Sequence, residues 1–216
     1  MADRVREIVA KLETASIDDT WRMSDDLARL GDRAVPEIEE HLGSKSVSVR
    51  LGAARALLAL KDVPRAAKTL VGIVTEGTDD RTRVLAVDLL IERNVEEAAS
   101  GLAALLDKPM PGVVKARVAR AVWDLSDDRK GAAKNELSNL LKSSDPDVRY
   151  TAAISLAEIK DDKQARPYLE EIKNEPSARG LWQHSTRRVA EERRHARGLH
   201  ARERSARSHP RGRVAR

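Results

Sequence analysis

Apolar residues return along this chain at every third or fourth position, in runs of helical length separated by short polar turns. In one such run Ala133, Leu137, Leu140 and Leu141 fall at i, i+4, i+7 and i+8, a single helical face. In another, Val148-Arg149 is followed by Ala152-Ala153 and Leu156, and this frame is written several times. It recurs as Val49-Arg50, Ala53-Ala54, Leu57; as Thr82-Arg83, Ala86-Val87, Leu90; and as Val114-Lys115, Val118-Ala119, Val122. The cations at 50, 83, 115 and 149 stand 33, 32 and 34 residues apart. A second ladder lies between them: Ala34 and Ile38, Ala66 and Leu70, Ala98 and Leu102, Ala133 and Leu137, Ala165 and Leu169, in steps of 32, 32, 35 and 32. Two interleaved ladders of one period predict stacked helix hairpins of about 32 residues.

The turns carry cap chemistry. Lys61-Asp62, Asp79-Asp80, Asp127-Asp128 and Asp161-Asp162 separate the helices, and Asp there is read as a helix cap rather than as a catalytic or metal-binding carboxylate. Asp145-Pro146 places a cap before a proline at the first helical position; Ser46 and Asp79 hold the equivalent place. Pro111-Gly112 departs from this pattern, which predicts a different entry into the second helix of that copy.

The residues resemble the short bacterial HEAT-like repeat of the bilin-lyase type. Asp145 to Leu156 matches D-P-x-V-R-x-x-A-A-x-x-L, and Ala34 to Ile38 and Ala165 to Leu169 match A-x-P-x-L. The resemblance spans residues 33–173 and implies an all-α, right-handed α-solenoid (armadillo-like) of about four and a half repeats. Residues 1–176 form the expected solenoid, with 1–31 a degenerate first hairpin whose divergence suits a terminal repeat. The resemblance further implies that Arg50, Arg83, Lys115 and Arg149 bridge adjacent repeats, and that the second helix of each hairpin lines the concave face.

At about 100° per residue, positions two, five and nine after each cation lie opposite the apolar stripe. Charged faces of this kind are usually only solvated, yet an extended concave surface is what solenoids use for binding. The candidate protein-binding residues on this strip are Arg55, Asp88, Glu92, Arg117, Arg120, Asp124 and Glu158, interspersed with Gly52, Ala59, Leu85, Thr151 and Ile154. Trp123 sits at the edge of the apolar stripe and is read as core.

Composition narrows the chemistry. Phe is absent and only three Trp and two Tyr occur, so the core is built from Leu, Ala, Val and Ile. The absence of Cys removes disulfides, thiolate metal sites and a cysteine nucleophile. His41 is the single histidine before residue 177, leaving a zinc site or a Ser–His pair nothing to draw on. There is no phosphate-cradling glycine loop, no His-Glu dipeptide of the kind HEAT-like di-iron hydroxylases use, and no basic aromatic groove as in HEAT-like glycosylases. The expectation is a protein without catalysis, cofactor or metal. The start, MADRVREIVAKLE, is charged and lacks the apolar run of a secretory signal, and no apolar segment reaches membrane-spanning length, so a cytoplasmic location is expected.

Charge is split along the chain. Residues 1–176 hold 28 Lys and Arg against 32 Asp and Glu, whereas 177–216 hold 12 Arg, no Lys and three Glu. The tail keeps no steady helical period and is expected to be disordered. Its Arg187, Arg188, Arg193, Arg194, Arg197, Arg202 and Arg204 make nucleic-acid or acidic-surface binding the alternative function, although aromatic residues for base stacking are not interleaved. The helix at 163–173 opens a hairpin that no partner completes in register, and Trp182 stands where a cation is due. An Arg-rich, Lys-free stretch starting in mid-repeat is what a frame slip in GC-rich coding DNA produces, and the chain is then the amino-terminal part of a longer protein. The leading expectation is a binding scaffold that engages a protein partner along its concave face; a bilin-lyase-like enzyme subunit is a further alternative.

Overall fold

The computed structural model describes residues 2–77, 79–160 and 162–174, and among these it is all-α. Helices α1 (Ala2–Leu12) and α2 (Ile17–Ala28) form the first hairpin. The short α3 (Val35–Glu39), flanked by 3-10 turns at Asp32–Ala34 and Glu40–Gly43, leads into α4 (Val47–Ala59). Then come α5 (Val63–Glu76) with α6 (Asp80–Glu92), α7 (Ala99–Leu106) with α8 (Gly112–Leu125), and α9 (Lys130–Leu140) with α10 (Pro146–Glu158). α11 (Asp162–Asn174) packs on α10. The expectations placed on 177–216, including the binding role of Arg187, Arg188, Arg193, Arg194, Arg197, Arg202 and Arg204, lie outside the described residues.

Both sequence ladders point inward. Ala34, Ile38, Ala66, Leu70, Ala98, Leu102, Ala133, Leu137 and Ala165 are fully or almost fully buried, as are Ala53, Ala54, Leu57, Val118, Ala119 and Leu156. One continuous core runs from Val5 to Ala165, and half-buried Trp123 packs against it. With small residues at the contact positions, helix axes can approach closely, which is how a core with so few aromatics is filled.

Caps set the helix boundaries. The side chains of Ser46, Asp79 and Asp145 accept from the backbone N–H groups of Val49, Thr82 and Asp147. α8, entered at Pro111, has no side-chain cap, in line with its departure from the repeat pattern. The reading of every acidic pair as a cap needs correction. Asp62 stands at an N-cap without a hydrogen bond to the helix, Asp127 pairs with Lys130, and Asp128 accepts from Ser126; Asp161 lies outside the described residues. At the other helix ends Lys61, Asn94 and Lys160 take left-handed backbone angles, φ 65°, 49° and 62°. The Asp62 and Val95 N–H groups then close back onto the carbonyls of Leu57 and Leu90, the 6→1 bond of a Schellman turn.

The repeated cations divide between two tasks. Arg50, Arg83 and Arg149 donate to the carbonyls of Ser44, Gly77 and Ser143, six residues back, so each clamps the turn of its own hairpin. Bridging to the next hairpin is found for Lys115, 3.4 Å from Glu136, and for Arg149, 3.5 Å from Glu171, but among the described residues not for Arg50 or Arg83.

Along the stack, α2 packs on α4, α6 on α8 and α8 on α10, while successive first helices scarcely meet. The second helices thus form the more closely packed, inner layer of the stack, except at one step. One junction differs: α4 and α6 do not pack closely on each other, and α5 joins them by packing against both.

Candidate protein-binding face

The strip predicted to face solvent is sealed over much of its length. Positions two and five after the cation are covered by whichever helix adjoins them, Gly52 by Leu12 of α1, Arg117 by α6 and α10, and Ile154 by Ile172 of α11. Gly52, Arg117, Arg120, Thr151 and Ile154 are buried, and Arg55, Asp88 and Leu85 are half-buried. Only the position near the carboxy end stays open, at Ala59, Glu92 and Asp124; at Glu158 the side chain too is covered. Arg117 and Arg120, expected on an open surface, are each only 6% exposed.

Burying a guanidinium requires that its charge be met. Arg117 on α8 donates through Nε to Asp88 on α6 at 2.9 Å and through Nη1 to Glu158 on α10, also at 2.9 Å. Arg120 donates through Nε to the same Glu158 oxygen at 3.2 Å and contacts Asp124 one turn on. Burial pulls the Arg117 pKa down, but the carboxylates of Asp88 and Glu158 outweigh it and hold the group above its ordinary value. The network thereby ties three successive second helices together.

A second tie joins α2 and α4. Arg55 Nη1 donates to the Trp21 carbonyl at 2.9 Å and to Asp25 Oδ1 at 2.6 Å, and its guanidinium carbon lies 5.2 Å from the centroid of the Trp21 ring. Trp21, Ser24, Asp25 and Ser155, which take part in these two networks, were missed by sequence reasoning. The sign of the network in the sequence was the presence of Arg117 and Arg120 in a copy flanked by copies that carry Asp88 and Glu158.

With Arg117, Arg120 and Glu158 enclosed, the accessible part of the strip is dominated by acids. Asp25 keeps 51% of its side chain exposed, Glu92 and Asp124 are open, and the half-buried Arg55 is already engaged. Glu92 and Asp124 stand in the last turns of α6 and α8, where the helix dipole disfavours an anion. Asp124 is answered by Arg120, whereas Glu92 makes no ion pair among the described residues. Among those residues no group of three or more His, Cys, Asp or Glu side chains is placed to hold a metal ion, and no helix is long and apolar enough to cross a membrane.

The chain matches the family model for HEAT repeats over residues 5–91 and 99–183. No curated protein sequence matches it. Among solved structures, it is similar to a chain of the complex of CpcE and CpcF of phycocyanin lyase from Nostoc sp. PCC7120, at 18% identity and a TM-score of 0.36, over 86% of this chain and 99% of that one. The family match covers most of the sequence and coincides with the hairpins described above: this chain belongs to the HEAT-repeat family.

Proposed function

We propose that the chain is a non-catalytic scaffold that holds a protein partner along its concave layer, presenting an acidic rim to a basic segment of that partner. The observation that carries this reading is the sorting of charge on the second helices. On the inner strip Arg55, Arg117 and Arg120 are engaged in ion networks between neighbouring helices, while Asp25, Glu92 and Asp124 stay exposed. Glu92 at a helix carboxy end without a cation gains nothing for the fold, and a cationic partner group would satisfy it. Solenoids typically bind through such extended inner surfaces.

The test places a photo-crosslinking residue at Ala59, beside this rim, in the native cells and identifies the protein captured. That protein is then titrated against the wild-type chain and against a Glu92→Lys variant, which leaves the Arg55–Asp25 tie in place. The expected result is at least a tenfold loss of affinity in the variant with an unchanged melting temperature, and binding that weakens with salt. Equal affinity for both chains would overturn the assignment of the rim.

A further inference from the structure

The ion networks of the inner layer divide the second helices into two sets. Arg55 binds α4 to α2, and Arg117 binds α6, α8 and α10 to one another. Between the sets lies the α4–α6 junction, where the two inner helices do not pack closely and α5 packs against both. A hollow of about 350 Å³ occupies one end of this junction, walled by Leu58 and Val63 on one side and by the Arg93–Glu97 turn on the other. In the outer layer the same step carries the ion pair between Arg65 on α5 and Glu39 on α3, whose arginine is 62% exposed. An ion pair that open to water contributes little rigidity.

Cores packed to crystal density resist deformation, so a stack bends where its inner helices lack direct contact and a surface hollow leaves room to close. We infer that this solenoid has one built-in hinge, at the α4–α6 junction, about which the block α1–α4 moves against the block α6–α11 with α5 as the connecting element. The two blocks carry different parts of the acidic rim, Asp25 on the first and Glu92 and Asp124 on the second, so hinge motion sets the distance between them. The inference rests on packing alone and does not depend on the proposed partner.

The absence of native cysteine makes the motion measurable with paired cysteine spin labels in the full chain. One pair, Ala59→Cys with Glu92→Cys, crosses the junction; a control pair, Arg81→Cys with Asp147→Cys, lies within the second block, and all four positions are exposed. Pulsed dipolar spectroscopy is expected to give a distance distribution for the junction pair at least twice as wide as for the control. A second junction pair, Arg22→Cys with Arg81→Cys, reads the same step if the first does not fold. Distributions across the junction as narrow as the control would overturn the hinge.

Discussion

Arg117 donates to Glu158 across the α8–α10 interface at 2.9 Å, with both side chains less than a tenth exposed. The geometry repays the desolvation of the pair only while both partners are present. Replacing Arg117 by Met leaves Asp88 without this cation and Glu158 dependent on Arg120 alone. Arg117→Met is expected to lower the unfolding free energy by about 3–5 kcal/mol. Denaturant titration reads this, and a cycle with Asp88→Asn is expected to return a coupling above about 1 kcal/mol; additive single effects would mean that the network is not a unit.

Gly112 begins α8 against α10. A Cβ there would lie 2.6 and 2.8 Å from the two Val148 γ-methyl carbons, and a β-branched side chain has little freedom to retreat. Gly112→Ala is expected to cost about 1–2 kcal/mol, the clash exceeding the gain in helix propensity. Combining it with Val148→Ala should remove the clash, so the pair of substitutions together should fall short of the sum of their separate costs.

Lys61 and Lys160 hold left-handed backbone angles that disfavour a side chain with a Cβ. Lys61→Gly and Lys160→Gly are each expected to stabilise the chain by about 0.5–1 kcal/mol, read as a rise in the melting temperature.

The carboxyl of Glu39 faces that of Asp62. A hydrogen bond between the two, followed by burial, pushes the Glu39 pKa up, and Arg65 opposes this only in part. The folded state therefore holds the Glu39 proton more tightly than the unfolded chain does. This contribution disfavours folding above the raised pKa and is relieved as pH falls through it toward the ordinary carboxyl value. Asp62→Asn supplies an amide donor and removes one charge. It is expected to stabilise the chain at neutral pH and to flatten the pH dependence of stability in the mildly acidic range, as followed by thermal melts at several pH values.

Asp79 shows the opposite sign. The Thr82 backbone N–H holds its carboxylate below the ordinary range, so the cap contributes above that range and is lost as pH falls through the lowered value. Asp79→Ala is expected to cost about 1 kcal/mol at neutral pH and nothing in strong acid.

The hairpins, their period and three of their caps were legible in the sequence, because each depends on residues within one turn or one repeat. The placement of Arg117 and Arg120 was not. A helical wheel has an inside and an outside, but a helix in a stack has further flanks, and on α8 both are pressed on a neighbour. Burial at Gly52, Thr151 and Ile154 follows from the same cause, and apolar or small residues at those positions were the sign of it. The turn clamps of Arg50 and Arg83 were missed for a different reason. Their acceptors are backbone carbonyls, which leave no mark on side-chain patterns. The open junction between α4 and α6 was equally silent, since the cation spacing passes through it unchanged.

The pairing of Arg117 with Asp88 on one side and Glu158 on the other limits how such a chain can change in length. Loss of the single hairpin α5–α6 would bring α4 against α8 and set cation beside cation, whereas loss of α5 through α8 would bring Arg55 toward Glu158. A hairpin can be lost from such a stack without electrostatic penalty only where the helices brought together still set a carboxylate against each enclosed cation.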